Sequence, residues 1–590
     1  MCGICGFYGR DDNLEIKNMC RRMKHRGPDE EGYYIDDNIS LANVRLSIID
    51  LKTGRQPIYN EDESVVIVYN GESYNFKELR EKLEDKHEFY TNSDTEVIVH
   101  AYEEYGIDFL KKLEGMFALA IYDKDKKALL LARDYFGIKP LYFSLTDSGI
   151  VFASEIKAML EYIVPELNQR VFADLLSLRY NPHNETLFKN IYKLPPACYL
   201  TFNKEGISIR RYWKYEKNVD ASRVEDLLVK SVKKQLISDV PLGVFLSGGV
   251  DSSLLVSIMR KFTDKIETFS VGFEDFDFNE TSFARFVAEE LDCNHREVVV
   301  KREDIKLLPK LIYYLDEPIG DAILIPTYIL SELAKKHVKV VLTGEGADEI
   351  FGGYIHYKAM KIFNRINKPI LKKVIYFSIK NLNNEILNKF FNYPSKIDDK
   401  EKEKILEFLK SNNLSEAYDR IVRIFSENEI EKLLKNKYKM KKNYIKNLND
   451  ILIYEIKNWL PNCILLRLDK ITMANSIEGR VPYLSQKIYE ITPISINDKM
   501  LLRKIAKKYL PKKIVKRKKQ AFFVPIEIWI NDLKEYFFSE FSKFKSSKYI
   551  DKYYIEKILN RKSLIYSKQV SSILAFELWY RIFIDEETLQ

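Results

Sequence analysis

The first residues able to do chemistry open the chain, Met1-Cys2-Gly3. A small second residue suits removal of the initiator methionine, which would leave Cys2 as the N-terminus. Such a thiol carries its own general base, the free α-amino group. With a pKa of about 7.7 to 8.0 that amine is roughly a quarter neutral near pH 7.4, whereas a lysine near 10.4 is neutral only about once in a thousand. Cys2 is therefore a candidate nucleophile. Cys2 and Cys5 also form a C-x-x-C, the spacing of a redox pair or half a zinc site. No second Cys pair follows and no strand precedes this one, so neither of those readings gains support.

The segment VFLSGGVDSSLLVSIM (244–259) reads as an apolar strand, a Gly-containing loop and an apolar helix. It lacks the G-x-x-x-x-G-K-[ST] of the common phosphate loop. Gly248 and Gly249 would let backbone N–H groups approach phosphate oxygens, with the positive end of the helix behind them. Ser247 and Ser252 can donate from their hydroxyls. Asp251 is unwelcome beside phosphates unless a cation intervenes, so it reads as a Mg²⁺ ligand. A plain Gly-Ser turn would match six such positions about once in 10⁵ chains of this length. Further on, KVVLTGEGADEIFGGY (339–354) closes another strand with a Gly-rich acidic loop. Loops at the carboxyl edge of an open parallel sheet are where ligands bind.

Two textures of secondary structure would position these groups. Up to about residue 195, short β-like runs alternate with turns: VVIVYNGE (65–72), GMFALAIYD (115–123) and KALLLARD (127–134). The last two read as a hairpin. Closely spaced antiparallel strands imply sheets packed face to face, with a helix such as 94–105 against them. Pro195 and Pro196 begin an irregular stretch. From about 225 the rhythm becomes strand, helix, strand, with strands at 241–246, 267–273, 296–300 and 339–344 and a helix at 282–291. That alternation predicts a parallel sheet with crossover helices. Residues 355 to about 450 have helical spacing and read as an insertion; the basic cluster at Lys435, Lys437, Lys439, Lys441 and Lys442 reads as a solvated face.

With 590 residues the chain has room for two to four domains. Lys plus Arg is 94 and Asp plus Glu is 86, a mild excess of +8. It is compatible with an anionic ligand such as a nucleotide and does not call for nucleic acid. No apolar run approaches the ~18 to 20 residues that span a bilayer, so no membrane partner is expected. The first residues turn polar too soon for a signal peptide. Six scattered cysteines suit a reducing, cytoplasmic setting.

The N-terminal segment resembles class II glutamine amidotransferase domains, which are N-terminal nucleophile hydrolases. The matching stretches are MCGICG (1–6), HRGPD (25–29), RLSIIDL (45–51), YNGESYN (69–75), NSDTEV (92–97), GMFA (115–118) and ARDYFGIKPLYF (132–143). The resemblance implies that Cys2 attacks the side-chain amide of glutamine, with Asn70 and the N–H of Gly71 donating to the oxyanion. Arg45 and Asp94 would hold the α-carboxylate and α-amino groups of glutamine. Leu46, Ser47, Ile48, Ile49 and Glu72 would frame the site. Ser73 departs from the family, which usually has isoleucine there.

SGGVDSS resembles the pyrophosphate loop of the ATP pyrophosphatase family. With LLRLDKITMANSIEGRVPYL (465–484), the whole chain resembles glutamine-dependent asparagine synthetases, best over about 1–360 and 450–530. That resemblance implies ATP as co-substrate and Mg²⁺ on Asp251 and Asp348. It places Thr343 and Gly344 beside the nucleotide, Leu246 and Val271 around adenine, and Glu345 at formation of an acyl-adenylate. KRKKQAF (516–522) matches R-x-K-x-x-F and would put Lys519 on the phosphates. The implied fold is α/β in two domains. Residues 1–200 would form an α/β/β/α sandwich, 201–224 a linker, and 225–590 a nucleotide-binding parallel-sheet domain with helical additions. A homodimer is compatible with it.

Acceptor identity rests on thinner signals. In DEPIGDAILIPTY (316–328) Ala322 and Ile323 replace two serines of the usual pattern, and Ser485 stands where an aspartate is expected. Aspartate is the expected acceptor, with a sugar acid as the alternative. An RNA-modifying enzyme with the same loop would need a catalytic Cys pair, and Cys293 and Cys463 are single.

Overall fold

Alternation along the first strand already dictates two layers. Ile4 turns to one side, into a core with Leu41, Val66, Val68, Ala118, Phe152 and Leu200, while Cys5 and Phe7 turn to the other, onto Ile16 and Met19. The computed structural model describes residues 2–9, 13–274, 281–390, 398–435, 438, 440–517, 529, 544–559, 561 and 563–585. Two six-stranded antiparallel sheets lie face to face. One runs in the order Tyr192–Lys193, Tyr142–Thr146, Gly149–Ala153, Cys2–Tyr8, Ile39–Arg45, Glu30–Asp36. The other runs Gly206–Arg211, Cys198–Asn203, Ala128–Arg133, Gly115–Asp123, Val65–Ser73, Ile58–Tyr59. The helix Asn13–Arg22 covers the first sheet, and the helix Asp94–Tyr105 covers the second. The layers are thus α/β/β/α, and 115–123 with 128–133 is the expected hairpin.

The second sheet runs past residue 200. Cys198 and Leu200 alternate into the core between the sheets, so Cys198–Asn203 and Gly206–Arg211 pair as strands where a linker was expected. Irregular chain occupies only 212–220.

The C-terminal part is built on a five-stranded parallel sheet in the order Asn294–Val300, Glu267–Phe273, Leu242–Phe245, Val340–Leu342, Glu478–Arg480. Chain order reverses at Leu242–Phe245, which pairs with Glu267–Phe273 on one side and Val340–Leu342 on the other. A crevice opens at such a switch point. The 355–450 stretch is mostly helical up to Leu433, while its described residues from 434 to 447 are irregular, and Tyr357, Met360, Phe363, Tyr418 and Ile451 share a core. The last helix, Leu564–Phe583, packs back on the N-terminal domain, where the Phe576 and Phe172 rings lie 4.2 Å apart.

Candidate active sites

Four elements converge around Cys2. It begins a strand and pairs in register with Arg45 on the neighbouring strand. Its main-chain nitrogen donates to Asn70 Oδ1 at 3.3 Å, and its carbonyl accepts from Arg26 Nε at 3.2 Å. Asn70 Nδ2 points to Ser154 Oγ at 3.4 Å. Gly71 pairs with Phe117, and a Cβ there would stand 2.3 Å from Met116 O, so only glycine fits this close approach. The helix Asp94–Tyr105 delivers Asp94, whose Oδ2 accepts from Ser73 N at 2.9 Å. Asp50 accepts from Asn92 N at 2.8 Å, which ties the loop after Arg45 to the one before Asp94.

Arg45 is nearly fully buried. Its guanidinium donates to Glu30 at 2.6 Å and to the carbonyls of Ile49 and Asp50 at 2.9 and 2.7 Å. Burial pushes the Asp94 carboxyl up to about 6. Burial, then the Asp94 charge, pushes Glu72 well above the usual carboxylate range. The Ser73 hydroxyl finds Asn75 Oδ1 at 3.4 Å, so the departure from isoleucine leaves it with a partner. Cys5 points away from Cys2: its sulfur lies 3.9 Å from that of Cys20, as positions three apart on a strand require.

The second cluster sits at the switch point. A cavity of about 540 Å³ is bordered by Leu246, Ser247, Gly249, Asp251, Ser252, Val271, Thr343, Gly344, Glu345 and Asp348. Gly248 turns the loop with φ +67°, and a Cβ there would meet the backbone of Ala284 at 2.6 Å. Ser252 Oγ, in the first turn of the helix Val250–Met259, accepts from Ser247 N at 3.1 Å.

Asp251 and Asp348 both face Lys499 Nζ, at 2.5 and 2.8 Å. Burial works against that ammonium, but the two carboxylates outweigh it and hold it above the ordinary lysine range. Asp251 Oδ1 is buried with no hydrogen-bond partner. Hard oxygen donors converging on one cation, with an oxygen to spare, fit Mg²⁺. Glu345 and Asp321 both pair with Arg467, at 3.3 and 3.1 Å. Lys519 lies outside the described residues.

A further cavity of about 330 Å³ shares Arg179, Tyr354, His356 and Trp459 with the first, and Lys404 and Lys568 also border it. Burial, then Lys568 and Arg179, push Lys404 down to about 7.

Sequence reasoning missed the residues that join the two clusters. Arg480, at the end of the edge strand Glu478–Arg480, reaches Glu72 at 3.1 Å and Glu478 at 2.5 Å. The Arg480 carbonyl accepts from Thr343 N at 2.9 Å. Leu46 and Ile48 pack on Val340 and Met473. Arg26 holds Glu155 at 3.0 Å and Asp469 at 2.8 Å, and all three side chains are nearly or wholly buried. Lys157 and Lys470 complete the network on Asp316. Apart from Arg480 and Glu478, the side chains that meet here are far apart in sequence, so no local motif announces them.

The family model described as asparagine synthase matches residues 223–581, and the glutamine amidotransferase domain model matches 1–213. Asparagine synthetase [glutamine-hydrolyzing] 1 of Bacillus subtilis is 34% identical over 99% of this chain and 97% of its own length. Asparagine synthetase B [glutamine-hydrolyzing] of Escherichia coli is 34% identical over 64% of this chain and 68% of its own.

Proposed function

The chain belongs to the glutamine-hydrolysing asparagine synthetase family, glutamine-dependent carbon–nitrogen ligases, and from that premise we propose a two-site reaction on aspartate. Cys2 Sγ, deprotonated by its own α-amine, attacks the side-chain carbonyl of glutamine. Asn70 and the Gly71 N–H stabilise the oxyanion, and ammonia leaves a thioester that water hydrolyses to glutamate. Arg45 with the Leu46–Ile49 loop and Glu72 frames the glutamine, whose α-ammonium pairs with Asp94.

At the second site the β-carboxylate of aspartate attacks the α-phosphorus of ATP and expels pyrophosphate. The Ser247–Ser252 loop, Gly248 and Gly249 included, holds that pyrophosphate. Leu246 and Val271 enclose adenine, and Thr343 and Gly344 border the nucleotide. Asp251 and Asp348 would hold Mg²⁺, which neutralises charge on the phosphates when bound. Glu345 assists acyl-adenylate formation, and Lys519 serves the phosphates. Ammonia then attacks the acyl carbon and AMP leaves, giving asparagine. Bulk water would turn ammonia into ammonium, which is no nucleophile. The buried Arg26–Glu155–Asp316–Lys470 interface supports transfer away from solvent.

The observation that carries this reading is the Arg480 junction, which joins Glu72 of one site to Thr343 of the other. No described helix is long and apolar enough to cross a membrane; the proposed setting is the cytoplasm, whose reducing conditions suit the six free cysteines. A second acceptor reading, a carboxylate longer than aspartate such as a sugar acid, draws on the cation-lined 330 Å³ cavity beside the nucleotide cavity. An acceptor screen read by pyrophosphate release tests both. Release that depends on aspartate supports the first reading; release only with a uronic acid overturns it.

A further inference from the structure

Glu61, His87, His100 and Glu103 gather on the outer side of the N-terminal domain, where the proposed reaction uses none of them. Each presents one ligand atom, and these atoms all lie within 4.8 Å of one another. His87 Nδ1 is 3.0 Å from Glu61 Oε1 and 3.9 Å from Glu103 Oε2; His100 Nδ1 is 3.2 Å from Glu103 Oε2 and 3.5 Å from Glu61 Oε2. A tetrahedral ion with bonds of about 2.0 to 2.1 Å requires ligand atoms roughly 3.3 to 3.4 Å apart. The four separations lie around that value, with the Glu61 carboxylate turning a different oxygen to each imidazole, so small side-chain rotations would close the set on an ion.

We propose that Glu61, His87, His100 and Glu103 form a structural binding site for a zinc-class divalent cation. Two imidazole nitrogens with two carboxylate oxygens suit zinc better than magnesium or calcium, which prefer all-oxygen shells. The surroundings hold the ligands as an outer shell would. Asn60 Nδ2 donates to Glu103 Oε1 at 2.7 Å, and Glu88 N donates to Glu61 Oε1 at 3.0 Å. On the far side of the His100 ring, buried Nε2 has no hydrogen-bond partner within reach and faces Glu96 Oε1 at 3.8 Å. Glu96 is itself fixed by the N–H groups of Tyr90 and Thr91 at 2.7 Å each. A carboxylate behind a histidine ligand sets the ring orientation and raises its basicity.

The ion would join three separate pieces of chain: the turn carrying Glu61, the segment carrying His87, and the helix Asp94–Tyr105 that carries His100 and Glu103. Asp94 heads that same helix, about 9 Å before His100 at 1.5 Å per residue. The cation would therefore stiffen the helix that presents Asp94.

The test uses the full-length, chelator-treated protein titrated with Zn²⁺ by calorimetry, then with Co²⁺ by visible absorption. One equivalent should bind, the melting temperature should rise, and the Co²⁺ spectrum should show tetrahedral bands without a thiolate charge-transfer band. His87→Gln and Glu61→Gln lie at the rim, so they should fold, and each should weaken Zn²⁺ binding at least tenfold. Absence of binding in the parent protein, thiolate bands, or variants that bind Zn²⁺ as tightly as the parent would overturn the site.

Discussion

Arg480 and Glu72 meet 3.1 Å apart across the two halves of the chain, both with their side chains almost wholly buried. Arg480 also donates to the carbonyls of Gln235 and Ile237 at 2.6 Å each, so its guanidinium is clamped from several sides. Glu478 keeps its charge beside Arg480, which offsets the cost of its burial. Glu72 is the weaker partner, since burial and Asp94 push its carboxyl up. One residue thus touches the glutamine side through its guanidinium on Glu72 and the nucleotide side through its carbonyl, which accepts from Thr343 N.

Arg480→Met should leave Glu478 buried and unpaired, at a cost of about 3 to 5 kcal/mol. Beyond the lower melting temperature, the ratio of asparagine made to glutamine hydrolysed should fall, because the junction no longer aligns the two sites. Glu72→Gln retains an acceptor for Arg480 and should cost much less stability. An unchanged ratio in Arg480→Met would show that the junction serves stability alone.

Only the carboxylate form of Asp94 can pair with the α-ammonium of glutamine. Burial places that carboxyl at about 6 in the free protein, so it is protonated below pH 6 and ionised above. The Cys2 α-amine, with a pKa of about 7.7 to 8.0, by itself makes glutaminase kcat/KM fall about tenfold per pH unit below that value, and Asp94 should steepen the fall to about a hundredfold per unit below 6. Asp94→Asn should lower kcat/KM throughout and remove only that steepening. A pH profile from 5 to 8 on both proteins checks it, and an identical steepening in the variant would exclude Asp94 as its source.

Asp251→Asn removes one of the two carboxylates facing Lys499. Pyrophosphate exchange into ATP should drop at least a hundredfold, the scale on which a charge-stabilising group acts. Glutaminase activity at Cys2 should survive within about threefold. AMP, not ADP, should accumulate with the parent protein, as judged by chromatography of the products.

Gly248→Ala should slow the synthetase reaction without touching the glutaminase. At φ +67° the loop strains any residue with a Cβ, and that Cβ would press on the backbone of Ala284. The expected signature is a raised KM for ATP together with a lowered melting temperature from the strained loop.

The strands at 65–72, 115–123 and 127–134, which all fall in one sheet of the N-terminal domain, and four strands of the parallel sheet were legible because alternation and strand–helix rhythm are local signals. The loops were legible too: Leu246, Ser247, Gly249, Asp251 and Ser252 border one cavity with Thr343, Gly344, Glu345 and Asp348, and Cys2, Asn70, Gly71, Arg45 and Asp94 stand on converging elements. The strand Glu478–Arg480 was not legible, since three residues carry no period. Lys499 was hidden for a different reason. In a chain with 94 Lys and Arg, one more lysine has no signal until Asp251 and Asp348 are seen on either side of it. The strand Gly206–Arg211 is largely exposed and polar, so it passed for linker until its pairing with Cys198–Asn203 was visible.

The central claim is that ammonia made at Cys2 is consumed at the 246–252 and 343–348 loops. The most direct test is Cys2→Ala, assayed for asparagine formation with glutamine and, separately, with added ammonium. Synthesis from glutamine should vanish while synthesis from ammonium stays near the parent rate. Loss of both activities would contradict two separable sites, and retention of glutamine-driven synthesis would contradict Cys2 as the nucleophile.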